Sequence, residues 1–169
     1  MDPNVSVVSS AISLYFAPSD RSGITGCKRE LIRATPSWRK GSFRYDAILV
    51  RTGLPPGPHG LSVARLRLLF SFIFNDICRE VALVEWFSYI GSSPDEETGM
   101  WMVEKENRDD GFPLMDFISI DTILRGCHLL PVYETNIVPS NITHESSLDA
   151  FQVYYVNRFA DHHAFELLS

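Results

Sequence analysis

Two long β-forming runs joined by a tight turn restrict the fold of this chain more than any other feature. From Leu61 to Phe74 the residues alternate: Val63, Arg65, Arg67, Leu69 and Ser71 share one face of a strand, and Ala64, Leu66, Leu68, Phe70 and Phe72 share the other. A period of two with one wholly apolar face marks a strand laid over a core, and a buried helix is the alternative reading. Asn75-Asp76 supplies a turn, and Val81–Ile90, rich in β-branched and aromatic residues, is the next strand. Upstream, Phe43–Val50 reads as a strand that ends at the Pro- and Gly-rich stretch Thr52–Gly60. Neither helix nor ladder crosses that stretch, because proline has no N–H to donate.

The remainder of the chain continues in short pieces. Gly91–Gly99 is an acidic loop, Met100–Glu104 a strand, Lys105–Gly111 a charged turn and Asp116–Ile120 another strand. Asp121 is placed to cap one helical turn that Gly126 ends. Cys127–Tyr133 follows as a strand in which Pro131 indicates an edge or a bulge. Phe151–Asn157 and Ala164–Leu167 are read as the last strands. Residues 1–40 lack a sustained period apart from a short strand near 13–17, and read as a partly flexible N-terminal arm. With 169 residues, 45% of them hydrophobic, residues 41–169 are expected to form one domain around one core. Roughly seven short strands with regular turns indicate a mainly β fold, a barrel or a sandwich, with one short helical turn and the extended arm. No apolar run approaches the length of a membrane-spanning helix.

Charge is divided unevenly. Residues 1–60 carry eight basic and four acidic side chains, a net +4, whereas the rest carry seven and seventeen, a net −10. Phosphates seek clustered cations, so any nucleic-acid contact falls to the segment Lys28–Arg51, with Lys28, Arg29, Arg33, Arg39, Lys40 and Arg44 as the candidate residues. The plainer reading of that segment is a solvated arm. Cys27, Cys78 and Cys127 form no CxxC pair, and with no signal-peptide pattern at Met1–Ser6 they read as reduced thiols of the cytosol or nucleus.

Catalytic templates fail in turn. Gly-x-Ser-x-Gly, a phosphate-binding glycine loop and His-Glu-x-x-His are all absent. Asp161-His162-His163 is the most metal-like cluster, but on a strand the two imidazoles point to opposite faces and do not share an ion. No catalytic residue, metal or cofactor is therefore assigned. Aromatic residues remain. Trp86 and Tyr89 lead into the acidic loop Asp95-Glu96-Glu97 and Trp101 follows it, so these three are candidates for a cage that holds a methylated ammonium by cation–π attraction. Core packing is the plainer role for the same rings.

Ala82–Ile90 followed by Pro94-Asp95-Glu96-Glu97-Thr98 is similar to the strand and loop of BAH (bromo-adjacent homology) domains. Ile118–Val132 and Phe151–Asp161 resemble later BAH segments in the same order, so this likeness spans about residues 60–167. Ala34–Gly41 with Arg44-Tyr45-Asp46, Gly60–Arg67, Thr98–Trp101 and Tyr155–His163 look like a module at the C-terminus of mushroom transposon-encoded proteins of the Plavaka or KDZ kind. The transposase core with its paired carboxylates has no counterpart here. The resemblances imply a small BAH-like β-barrel, a non-catalytic, nuclear interaction module that binds a histone tail or another partner protein, and they admit a homodimer. A nucleic-acid-binding accessory domain acting through residues 28–51 is the alternative.

Overall fold

A computed structural model describes residues 5–20, 25–53, 57–133, 142–143 and 146–169. Its described elements are β1 (Val5–Val8), β2 (Ser10–Phe16), β3 (Cys27–Thr35), β4 (Arg44–Tyr45), β5 (Ala47–Arg51), β6 (Leu61–Phe74), β7 (Ile77–Ile90), β8 (Trp101–Lys105), β9 (Met115–Ser119), β10 (Ile123–Cys127), β11 (Leu129–Pro131), α1 (Ser147–Ala150), β12 (Val153–Val156) and α2 (His162–Leu167). The fold is mainly β, a nearly closed barrel-like sheet with two short helices. The main sheet runs β10-β5-β6-β7-β8-β12-β11. Only His128 separates β10 from β11, so one bent segment pairs with β5 on one side and β12 on the other. That segment brings the two ends of the sheet together.

The longest strands, β6 and β7, form a hairpin closed by Asn75 and Asp76 at φ of 51° and 60°. Both central residues being left-handed gives the turn whose twist matches a hairpin, and Asn and Asp tolerate that region best after glycine. The inner halves of the hairpin belong to the barrel, flanked by β5 and β8. The outer halves run beyond it and are flanked by β1 and β9, which makes a four-stranded lobe.

A bulge separates those halves. Leu66 faces Val84 and Leu68 faces Leu83, so Arg67 is the extra residue. One extra residue reverses the alternation. Leu69 therefore joins Ala64 and Leu66 in the core, whereas Leu68, Phe70 and Phe72 cross to the face of Val63 and Arg65. This corrects the uninterrupted alternation expected from Leu61 to Phe74.

Two cores result. One lies within the barrel, where Leu49, Val63, Phe87, Val103, Tyr154 and Val156 meet Tyr15, Ala17, Ala164 and Leu168. The other lies on the opposite face of β5–β6–β7, where Ile48, Val50, Leu66 and Val84 are covered by Ile32 and Ala34 of β3. Strand β5 is buried on both faces as a consequence.

Three further expectations differ from what is observed. Residues 5–8 and 27–35, expected within an N-terminal arm, are strands, and the short strand expected near 13–17 is part of β2; β2 and β3 contribute Tyr15, Ile32 and Ala34 to the cores. Ala164–Leu167, expected as a strand, belongs to α2, because the Asp161 carboxylate accepts from Ala164 N–H and nucleates a helix whose Ala164 and Leu168 reach the core. Gly126 does not end a helical turn. The turn covers Ile120–Thr122, and Gly126 lies in β10, where a Cβ would stand 2.8 Å from a Glu30 carboxylate oxygen.

Candidate functional site

Four places on the described surface bear on function, and the aromatic candidates come first. Tyr89 and Trp101 are brought together edge to face, ring centroids 5.5 Å apart, and both pack on the barrel core. Trp86 is not with them. It occupies the alternate position on β7 and packs on the other core, so the three rings do not share a face. Tyr89 is also wedged over Gly57, where a Cβ would lie 2.4 Å from its ring. The Tyr89 hydroxyl and the Trp101 indole N–H are buried without a hydrogen-bond partner among the described residues, and burial pushes the Tyr89 phenol up. The indole N–H can only donate, whereas the phenol can donate or accept.

The basic candidates disperse along β3 and the following turn. Lys28 is ion-paired with Asp20, while Arg29 stands on the outer face of the β2–β3 hairpin with Leu14 across from it. Arg33, Arg39 and Arg44 converge instead on Trp38, their guanidinium carbons 4.1, 5.4 and 5.6 Å from its ring. Arg44 is partly neutralised by Asp46, at 2.7 Å. Arg39 and Lys40 are the two central residues of a turn closed by Gly41 N–H on the Trp38 carbonyl, and they hold φ of 51° and 66°. Left-handed backbone costs a side-chain-bearing residue about 1 kcal/mol or more, and here it projects two cations side by side.

A cavity of about 850 Å³ opens between the Trp38–Asp46 segment and the barrel. Arg44, Arg65 and Arg125 line it, the last two buried. Arg65, 1% exposed, is held by Asp149 of α1 through Nη1 at 2.5 Å and Nη2 at 3.2 Å. Arg125, 5% exposed, makes a two-pronged contact with Asp161 at 2.8 and 2.6 Å. Its guanidinium also lies 4.9 Å from the Tyr15 ring and 3.9 Å from Glu30. His163 stacks on Tyr15 and sets Nδ1 3.3 Å from Arg125. Burial and that guanidinium hold its imidazole below the usual range. The hydrogen bonds from Arg125 bring the Asp161 carboxyl down to about 2. Each arginine thus latches a C-terminal helix to the barrel, and Asp161 and His163 are absorbed into that latch.

Sequence reading missed this network. Its signal was available in Arg65 set between Ala64 and Leu66 and in Arg125 set between Leu124 and Gly126, cations inside apolar strands that have to be paired to be buried.

The outer lobe provides the fourth place. Val7, Phe70, Phe72, Val81, Leu83 and Phe117 share one face, set by the pairings of Val7 with Phe70, Phe70 with Val81, and Leu83 with Phe117. This face continues the barrel interior outward, but no described element covers it. Phe117 and Val7 are each 64% exposed, and Phe74 at the hairpin tip is 59% exposed. No family model, curated protein or solved structure matches the chain.

Proposed function

We propose that the chain is a non-catalytic interaction module whose contact surface is the open apolar face of the β1–β6–β7–β9 lobe. The observation that carries the reading is the exposure of Val7, Phe74 and Phe117 on a face built from regular sheet. Soluble monomers rarely leave so continuous an apolar surface open, and such surfaces mark contact sites. The reading keeps the partner-binding role expected of a BAH-like domain and moves it away from the aromatic cage. Trp86 packs on a different core from Tyr89 and Trp101, so the three rings do not line one cage.

The test is selection of random displayed peptides on the immobilised chain, followed by calorimetric titration of the selected sequences. Peptides that lose binding with Phe117→Asp but keep it with Trp86→Ala support the reading. Peptides that depend on Trp86 instead overturn it in favour of a tail-binding cage.

A second reading follows from Trp38. Four basic residues and an indole at one turn suit a phosphate backbone with a stacked base, which supports a nucleic-acid contact through Arg33, Arg39, Lys40 and Arg44. Lys28 contributes little to it because Asp20 already pairs with it.

A further inference from the structure

Resting on the interaction reading above and deepening it, we propose that the occupant of the open lobe face is a second copy of this chain, packed sheet against sheet. Val5, Val7, Phe74, Ile77, Met115 and Phe117, 42–64% exposed on this face, together present on the order of 600 Å², the larger part of the ~800 Å² that each partner buries in a stable interface. That is the upper end of the largest apolar patch on a typical monomer, about 300–600 Å². Two twisted sheets pack face to face with their strands nearly aligned, so a flat apolar sheet is complementary to a copy of itself.

Charge selects both the partner and its orientation. Arg79, which pairs with Phe72, is the one charged side chain left exposed on this face by the described strands. A face so poor in charge gives a strongly acidic or basic partner little to recognise. Arg79 sits near the hairpin tip. The turn Arg108–Asp110, with two carboxylates to one cation, lies before β9 at the lobe's barrel end. A two-fold axis parallel to the strands would set Arg79 against its own copy. An axis across the strands sends each Arg79 toward Asp109 and Asp110 of the other copy, so the copies are expected to run antiparallel.

Sedimentation equilibrium of the full chain tests this. We expect a concentration-dependent dimer with a dissociation constant in the micromolar range, corresponding to about 8 kcal/mol. Phe117→Asp and Val7→Asp, at exposed positions, each weaken it at least 100-fold while the far-UV circular dichroism is unchanged. Arg79→Asp weakens it about 10-fold, and adding Asp109→Arg restores it. A chain that sediments as a monomer throughout, or a dimer indifferent to Phe117→Asp and Val7→Asp, overturns the proposal. A monomer that still binds selected peptides through Phe117 overturns the second copy and leaves the interaction reading standing. A monomer with no Phe117-dependent peptide overturns both.

Discussion

Replacing Asp161 with Asn removes one charge from the latch that joins α2 to the barrel. The Asp161 carboxylate receives both Arg125 prongs, at 2.8 and 2.6 Å, and caps α2 through Ala164 N–H at 2.8 Å. Held at about 2, it lies below the ~3.9 of an unfolded Asp, a difference of about 2.5 kcal/mol at 1.36 kcal/mol per unit. Its side chain is partly open to solvent, and screening reduces that to about 1–1.5 kcal/mol. Arg125 would then be left buried with Glu30 3.9 Å away as its one anionic neighbour, beside the Gly126 carbonyl, which accepts from Nε at 3.2 Å, His163 Nδ1 and the Tyr15 ring. Breaking a fully buried pair costs about 3–5 kcal/mol, so with these partners remaining the expected loss is about 2 kcal/mol. In a chain of this length that lowers Tm by about 4–8 °C.

Asn can still cap the helix, so Asp161→Ala should cost about 1 kcal/mol more. Urea titrations followed by tryptophan fluorescence, for the wild type, both Asp161 variants, Arg125→Met and the double variant, give the coupling energy directly. The folded carboxyl is depressed, so its contribution is complete above about pH 4 and is lost as pH falls through about 2. An Asp161→Asn variant within about 0.5 kcal/mol of wild type, or stability that is flat between those pH values, would refute the argument.

Other groups give independent checks. Desolvation pushes the half-buried Cys127 thiol up to about 12, whereas Cys27 and Cys78 are exposed, so a thiol reagent at pH 8 should modify two cysteines quickly in the folded chain and the third much more slowly until urea is added. Gly57→Ala would force a methyl to within 2.5 Å of both the Leu61 carbonyl and the Tyr89 ring, and should cost at least about 2 kcal/mol by thermal unfolding. His163 is depressed by burial and by Arg125. It should stay neutral in NMR titrations below the usual imidazole range, with stability falling as pH drops below about 6.5 because the unfolded chain takes up the proton first. If the Trp38 turn contacts nucleic acid, Arg39→Glu should reduce the slope of log affinity against log salt by about 0.9 or more; an unchanged slope removes that turn from the contact.

How legible the fold was in the sequence depended on whether the deciding interaction was local. The β6–β7 hairpin could be read because alternation and Asn75-Asp76 carry it within one stretch. The bulge at Arg67 could not, since it becomes visible only once Leu66 and Leu68 are paired with adjacent residues on β7. Strands β2 and β3 were obscured because their polarity is inverted: Ile12, Leu14 and Phe16 point outward, whereas Ser13, Lys28 and Glu30 share the inward side with Tyr15 and Ile32. In the sequence Asp161 stands out only as part of the most metal-like cluster, to which no metal is assigned. Its actual partners, Arg125 and Ala164 N–H, include one 36 residues away. The aromatic triplet failed for a simpler reason: Trp86 and Tyr89 are three apart on one strand, an odd interval that places them on opposite faces.

The bent segment from Ile123 to Pro131 governs the order in which the molecule can form. Its two halves pair with β5 and with β12, whose sequence positions lie far to either side. The β6–β7 hairpin needs only its own residues and can close within microseconds. Closing the ring has to wait until β12 has joined both β8 and β11, across long loops that carry an entropic cost. A chain emerging vectorially would therefore display its most adhesive surface, the lobe, well before the barrel that anchors it exists. Association between nascent neighbours at that stage would compete directly with completion of the fold.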